Sequence, residues 1–189
     1  MQHSALSSCK IVQACRYALL YFLISFLGWL WETLYMAIAF GGFYDRGFLS
    51  LPLCPIYATC IFAVYFLLGT PQKGRGILKN VRKTHHRILF YAFFALLLPT
   101  AAELAFGAFF DRILGVTLWT YRHYPCNFYG YICLPVSLSW PVMLLLFMRF
   151  CFPPLQKFAF ALPEKASIRL ALLLTLAVIT DFFVQLAVL

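Results

Sequence analysis

YALLYFLISFLGWLWETLYMAIAF, residues 17–40, carries one charged side chain, Glu32, and decides the fold. A helix needs ~20 apolar residues to cross the hydrocarbon core of a bilayer, and this stretch supplies them. A cleavable signal peptide is the rival reading, with Ala37-Ile-Ala39 mimicking a cleavage site. The run is longer than the apolar region of a signal and contains Glu32, so it reads as a retained span.

Four more apolar segments follow, roughly Leu53–Gly69, Ile88–Phe110, Tyr131–Met148 and Leu170–Leu189. The second is short and Pro-bounded, which predicts a tilted or partly irregular outer end. The chain is 63% hydrophobic and 11% charged, whereas soluble domains carry about a quarter charged residues. A secreted enzyme, a cytosolic metabolic enzyme and a disordered regulator are excluded on that arithmetic. The expected class is an all-α membrane protein of five transmembrane helices, with residues 1–189 forming a single integral membrane domain.

The net charge of +9 invites a nucleic-acid partner, but the cations lie in the gaps between apolar runs. With the N-terminus inside, the cytoplasmic gaps hold Lys10 and Arg16, then Lys73, Arg75, Lys79, Arg82, Lys83 and Arg87, then Arg149, Lys157, Lys165 and Arg169. Only Arg46, Arg112 and Arg122 fall outside. Such asymmetry sets orientation in membranes, so the N-terminus is expected in the cytoplasm and the C-terminus outside. Membrane lipid is the expected partner for these cations, and nucleic acid is not.

Spans one and three share a plan. Arg16 precedes Glu32 by the same sixteen residues that separate Arg87 from Glu103. Each Glu is followed by an aromatic loop, with Tyr44-Asp45-Arg46 in one and Phe110-Asp111-Arg112 in the other. Each loop runs into a Cys- and Pro-containing segment, LCPIY at 53–57 and ICLPVS at 132–137. Two related helix pairs plus a fifth helix are therefore expected, repeated in parallel as in some transporters.

Glu32, Glu103 and Asp181 lie within spans, each ~12 Å from the outer end at 1.5 Å per residue. An acid at mid-span costs ~2.5–3.5 kcal/mol on insertion scales, so the three should face one another, a polar cavity or a basic partner. Small and polar residues share their faces: Ser25, Gly28 and Tyr35 with Glu32; Thr100 and Gly107 with Glu103; Ala177 and Gln185 with Asp181. Two readings stay open. The acids could be packing devices satisfied by Arg46, Arg112, Asn127 or a Trp N–H. They could instead form an outward-opening cluster that binds a proton, a cation or a cationic headgroup.

Other motifs carry less. GTPQKGRG around Lys73 lacks the Gly-Lys-Ser/Thr ending of a phosphate loop and reads as a solvated turn. His85-His86 suits a headgroup contact better than a metal. Seven cysteines without C-x-x-C argue against a zinc site or a disulfide framework, and Cys54 and Cys126 are expected as free thiols. Ser137, Ser139 and Cys133 lie near Glu103 in this plan, but nothing resembles a nucleophile elbow, so hydrolysis is a weak alternative. No cofactor or metal is expected.

Two stretches carry a resemblance. GWLWETLY (28–35) followed by YDRGFLSLPLCPIYA (44–58) resembles the opening of the bacterial ABC-transporter type IV permease family, G-W-x-x-E and then N-R-G-F-L-x-G-P-x-C-P-I-Y-G. WTYRHYPCNFYGYICLPVSLSW (119–140) is similar to its later W-D-Y-S-x-x-P-x-N-x-x-G-x-I-C-L-x-x-S-x-x-W, without a gap. Thr120 stands where that pattern has Asp, Arg122 where it has Ser, Asp45 where it has Asn and Leu51 where it has Gly. The resemblance implies a multi-pass plasma-membrane permease component of unestablished substrate, working with a separate ATPase subunit. A homo-oligomer stays open.

Glu32 and Glu103 are then the expected polar centres, with Arg46 as counter-ion or anion contact. Trp119, Tyr121 and Asn127 would line or close the outer mouth, and Tyr57, Ser137 and Asp181 complete the expected pocket. The alternative function is a non-ABC membrane protein whose outward-facing pocket binds lipid or assists envelope processing.

Overall fold

In the computed structural model, residues 2–43, 47–81 and 83–189 are described. Arg46, its neighbours Tyr44 and Asp45, and Arg82 lie outside the described residues. Helix α1 (Gln2–Phe40) is followed by α2 (Pro55–Leu68), α3 (Thr84–Ile113), a short hairpin of β1 (Asn127–Phe128) and β2 (Ile132–Cys133), and α4 (Leu134–Leu146). A π turn at Phe147–Cys151 leads into α5 (Phe152–Ala161), and α6 (Glu164–Val188) closes the chain.

Among the described residues, four helical stretches are long and apolar enough to cross a membrane: Cys9–Phe40, Thr84–Ile113, Leu134–Ala161 and Glu164–Val188. Helix α2 has 14 residues, or ~21 Å, short of a ~30 Å hydrocarbon core. Its ends are sharp because Pro55 opens it without wasting a donor and Gly69 closes it at φ +79°, giving its N–H to Tyr65 O at 2.8 Å. Gly41 ends α1 in the same way, at φ +71° with its N–H on Ala37 O at 3.0 Å.

Sequence and structure differ most after α4. The basic stretch from Arg149 to Arg169 reads as a cytoplasmic gap, yet it is helical apart from a tight turn at Leu162-Pro163. Lys and Arg are good helix formers whose stems cover apolar surface while their heads reach water. They therefore do not end the helices in which they stand.

The chain forms two compact units, Met1–Ala58 with Pro154–Leu189, and Thr59–Pro153. In the first, α1 packs along α6. The C-terminal helix, expected to stand as a fifth element, is thus the main partner of α1. At one end of this pair, Arg16 donates to Leu162 O at 2.8 Å, and Ser167 Oγ donates to Pro163 O at 3.0 Å. The tight turn is held by side chains from both helices.

In the second unit, α3 packs against α4 and the hairpin. Pro99 lies inside α3, and Thr100 beside it donates to Leu96 O at 2.7 Å. From Gly69 to Val81 the connection packs against the helices that flank it. Leu78 is fully buried, Arg75 lies 5.6 Å over both Tyr65 and Phe66, and Arg87 donates to Val81 O at 2.9 Å. Gln72 gives its side-chain N–H to Arg149 O at 2.9 Å. That carbonyl lacks helical donors because residues 153 and 154, four and five positions on, are both proline.

Candidate functional site

Glu103 is the polar centre of the second unit. It lies on α3 at 6% exposure, in a helix whose neighbours are Ala, Leu, Phe and Gly. Both carboxylate oxygens accept hydrogen bonds from side chains: Tyr121 OH donates to Oε1 at 3.3 Å and Trp140 Nε1 to Oε2 at 3.3 Å. One donor comes from the loop after α3, the other from α4. A turn further along α3, a Cβ on Gly107 would come 3.1 Å from Tyr131 and 3.3 Å from Trp119. The absence of a side chain there lets the loop approach the helix.

The first unit holds Glu32, half-buried on α1. The Cys54 thiol, in the connection that leads into α2, donates to Glu32 Oε2 at 3.7 Å. Cys54 is itself buried, and its backbone N–H reaches Ser25 O at 3.0 Å, drawing the connection onto α1. One turn before Glu32, Gly28 receives the Tyr57 ring, and a Cβ there would fall 2.5 Å from Tyr57 Cγ. Ser25 Oγ and Thr33 Oγ1 are buried on the same helix with no hydrogen-bond partner among the described residues.

Asp181, also in the first unit, makes no hydrogen bond to Glu32 among those described. It accepts the backbone N–H of Leu51 at 2.9 Å, and one turn later Gln185 Nε2 donates to Ser50 Oγ. Phe48 and Phe182 meet edge-to-face at 5.4 Å. Helix α6 therefore grips the loop before α2, and Asp181 works as a cap for that loop.

A cavity of about 350 Å³ opens in the second unit beyond the apolar run of α3, lined by Asp111, Trp119, Thr120, Arg122, His123 and Tyr131 among others. Tyr131 OH donates to Asp111 Oδ2 at 2.6 Å, and Thr117 Oγ1 to Asp111 Oδ1 at 2.7 Å. Trp119 Nε1 donates to Tyr131 O at 2.9 Å. The loop turns tightly because Asn127 donates to Tyr124 O at 2.9 Å and accepts the Gly130 N–H at 3.2 Å. Thr120 and Arg122, two departures from the resembled pattern, both line this cavity.

The structure thus brings Glu103 together with Tyr121, and Trp119 against the Gly107 face beside it. Asn127 builds the loop and makes no bond to Glu103 among those described. Ser137 is buried on α4. Arg112, a candidate partner for Glu103, lies 5.8 Å from the Tyr129 ring and 5.9 Å from the Tyr131 ring. Sequence reasoning missed the Cys54 thiol at Glu32, the Tyr131–Asp111 bond and the Leu51–Asp181 bond. The Trp140 partner had a signal, since a buried indole N–H requires an acceptor. Among the described residues, no three His, Cys, Asp or Glu side chains are placed to hold a metal ion.

The family model described as "Putative ABC-transporter type IV" matches residues 19–186 of the chain. No curated protein and no solved structure matches it.

Proposed function

We propose that this chain, which belongs to the ABC-transporter type IV family, is the permease component of a plasma-membrane transporter that moves a small solute. The observation that carries the reading is a carboxylate in an apolar helix of each unit, bonded by side chains that follow it in the chain. Glu103 takes its donors from Tyr121 and Trp140, and Glu32 from Cys54. Acids at such depth are costly and mark solute or ion paths in membrane proteins. The unpartnered hydroxyls of Ser25 and Thr33 add polar lining to the helix that carries Glu32.

In this reading the sequence carries one plan twice, a carboxylate helix, a loop and a Pro-containing helix, first as α1 into α2 and then as α3 into α4. With α2 completed by the irregular connection before it, five crossings put the termini on opposite sides, and the Lys and Arg distribution favours a cytoplasmic N-terminus and an outer C-terminus. The basic loop at 69–81 then faces the cytoplasm, where a separate ATPase subunit would dock. Purification from native membranes in mild detergent tests this. An ATPase that co-purifies, and whose turnover depends on the chain, supports the permease. A chain that purifies without one, and moves no solute in vesicles supplied with ATP, overturns it.

A further inference from the structure

Arg122 lines the second-unit cavity, and among the described residues no carboxylate accepts a hydrogen bond from its guanidinium; Asp111 on the same wall attracts it only through space. Its stem is held flat across Gly130: a Cβ there would lie 2.6 Å from Arg122 Cγ, and Gly130 has φ +78°. Both the space and the backbone conformation demand glycine at that position. The Asn127 bonds fix the turn beneath it, so the arginine is placed by backbone. The acid in the cavity lining, Asp111, takes its hydrogen bonds from the Tyr131 and Thr117 hydroxyls, and Arg112 offsets its charge beside Arg122, so two cations face one carboxylate.

We propose that this cavity binds the oxyanion of a phosphate ester. Arg122 supplies a planar fork of charged N–H donors, which suits phosphate oxygens. His123 and the Thr120 hydroxyl stand on the same wall as further donors. The ring carbons of Trp119 and Tyr131 receive the organic part of the ester. A volume of about 350 Å³ falls at the small end of ligand pockets, ~300–1,000 Å³, and fits a headgroup-sized molecule. The cavity begins where the apolar run of α3 ends and is lined by aromatic side chains, the combination found where spans meet lipid headgroups. The ester is therefore either a phospholipid headgroup or a soluble molecule of the same chemistry. The assignment does not depend on whether the chain transports.

The test uses the full chain purified in a maltoside detergent. Native mass spectrometry reads retained phospholipid, and calorimetry reads binding of glycerol 3-phosphate after delipidation. A retained phospholipid assigns the headgroup; saturable glycerol 3-phosphate binding without retained lipid assigns a soluble ester. In either case Arg122→Gln should weaken binding at least tenfold, about 1.4 kcal/mol, and His123→Gln by a smaller factor. Lys165→Gln, a cation in the other unit, should change nothing. Both Arg122 and His123 are exposed loop residues, so an unchanged melting temperature shows that folding is intact. Absence of both ligands from the wild-type chain, or equal binding by Arg122→Gln, would overturn the proposal.

Discussion

The backbone N–H of Leu51 donates to the Asp181 carboxylate at 2.9 Å, joining positions 130 residues apart in sequence. The C-terminal helix thereby fixes the loop that leads into α2 and carries Cys54 toward Glu32. Asp181→Asn keeps an acceptor oxygen and should leave stability and function close to wild type. Asp181→Leu strands the Leu51 N–H, at a cost of ~1–3 kcal/mol. The readouts are melting temperature in detergent and protease cleavage within residues 47–54. Equal behaviour of the two variants would show that the bond does not hold the loop.

Gly28 should be the least tolerant glycine of the two carboxylate helices. A methyl group there would fall 2.5 Å from Tyr57 Cγ, against 3.1 Å from Tyr131 for Gly107. Overpacking of this kind costs ~1–3 kcal/mol, so Gly28→Ala should lower the melting temperature more than Gly107→Ala. Adding Tyr57→Ala to Gly28→Ala should recover part of the loss. An additive double variant would place the strain elsewhere.

Gln72 replaces helical donors that Pro153 and Pro154 cannot provide to Arg149 O. Gln72→Ala should cost ~1 kcal/mol, the net worth of one hydrogen bond, and speed tryptic cleavage at Lys73 and Lys79. Gln72→Glu should do the same, because it too lacks the N–H. Unchanged cleavage in both variants would mean that the loop is ordered by Leu78 and Arg75 alone.

Orientation is open to cysteine labelling. Cys9 and Cys126 are exposed, whereas Cys54 and Cys133 are buried. An impermeant thiol reagent on intact cells should modify Cys126, and should reach Cys9 only after lysis. The reverse pattern would invert the assignment drawn from the Lys and Arg distribution.

Much of the helical plan could be read from the apolar runs, since a chain this poor in charge has few ways to bury its backbone outside helices. The limits of α4, α5 and α6 could not, because Arg149, Lys157 and Lys165 signal water to a hydropathy reading while remaining good helix formers. At the site, Glu32 and Glu103 stand out as lone acids in apolar segments. Of their partners, a Trp N–H could be named, and Trp140 supplies it to Glu103; the others could not. The Cys54 thiol resembles a space-filling residue, and Tyr121 reaches Glu103 only because Asn127 and Gly130 turn the loop back toward α3. The role of Asp181 depends on a loop 130 residues away that no local pattern connects to it.

In the proposed permease, the Glu32 and Glu103 carboxylates serve solute movement beyond packing. The direct measurement compares solute profiles of cells, or of vesicles from them, containing wild-type chain, no chain, or the Glu32→Gln, Glu103→Gln double variant at matched membrane levels. Gln preserves shape and most hydrogen bonds, so the double variant should reach the membrane and melt near the wild-type temperature. The account predicts that any solute whose distribution depends on the chain is lost to the double variant as fully as to its absence. A wild-type solute profile in the double variant would contradict it.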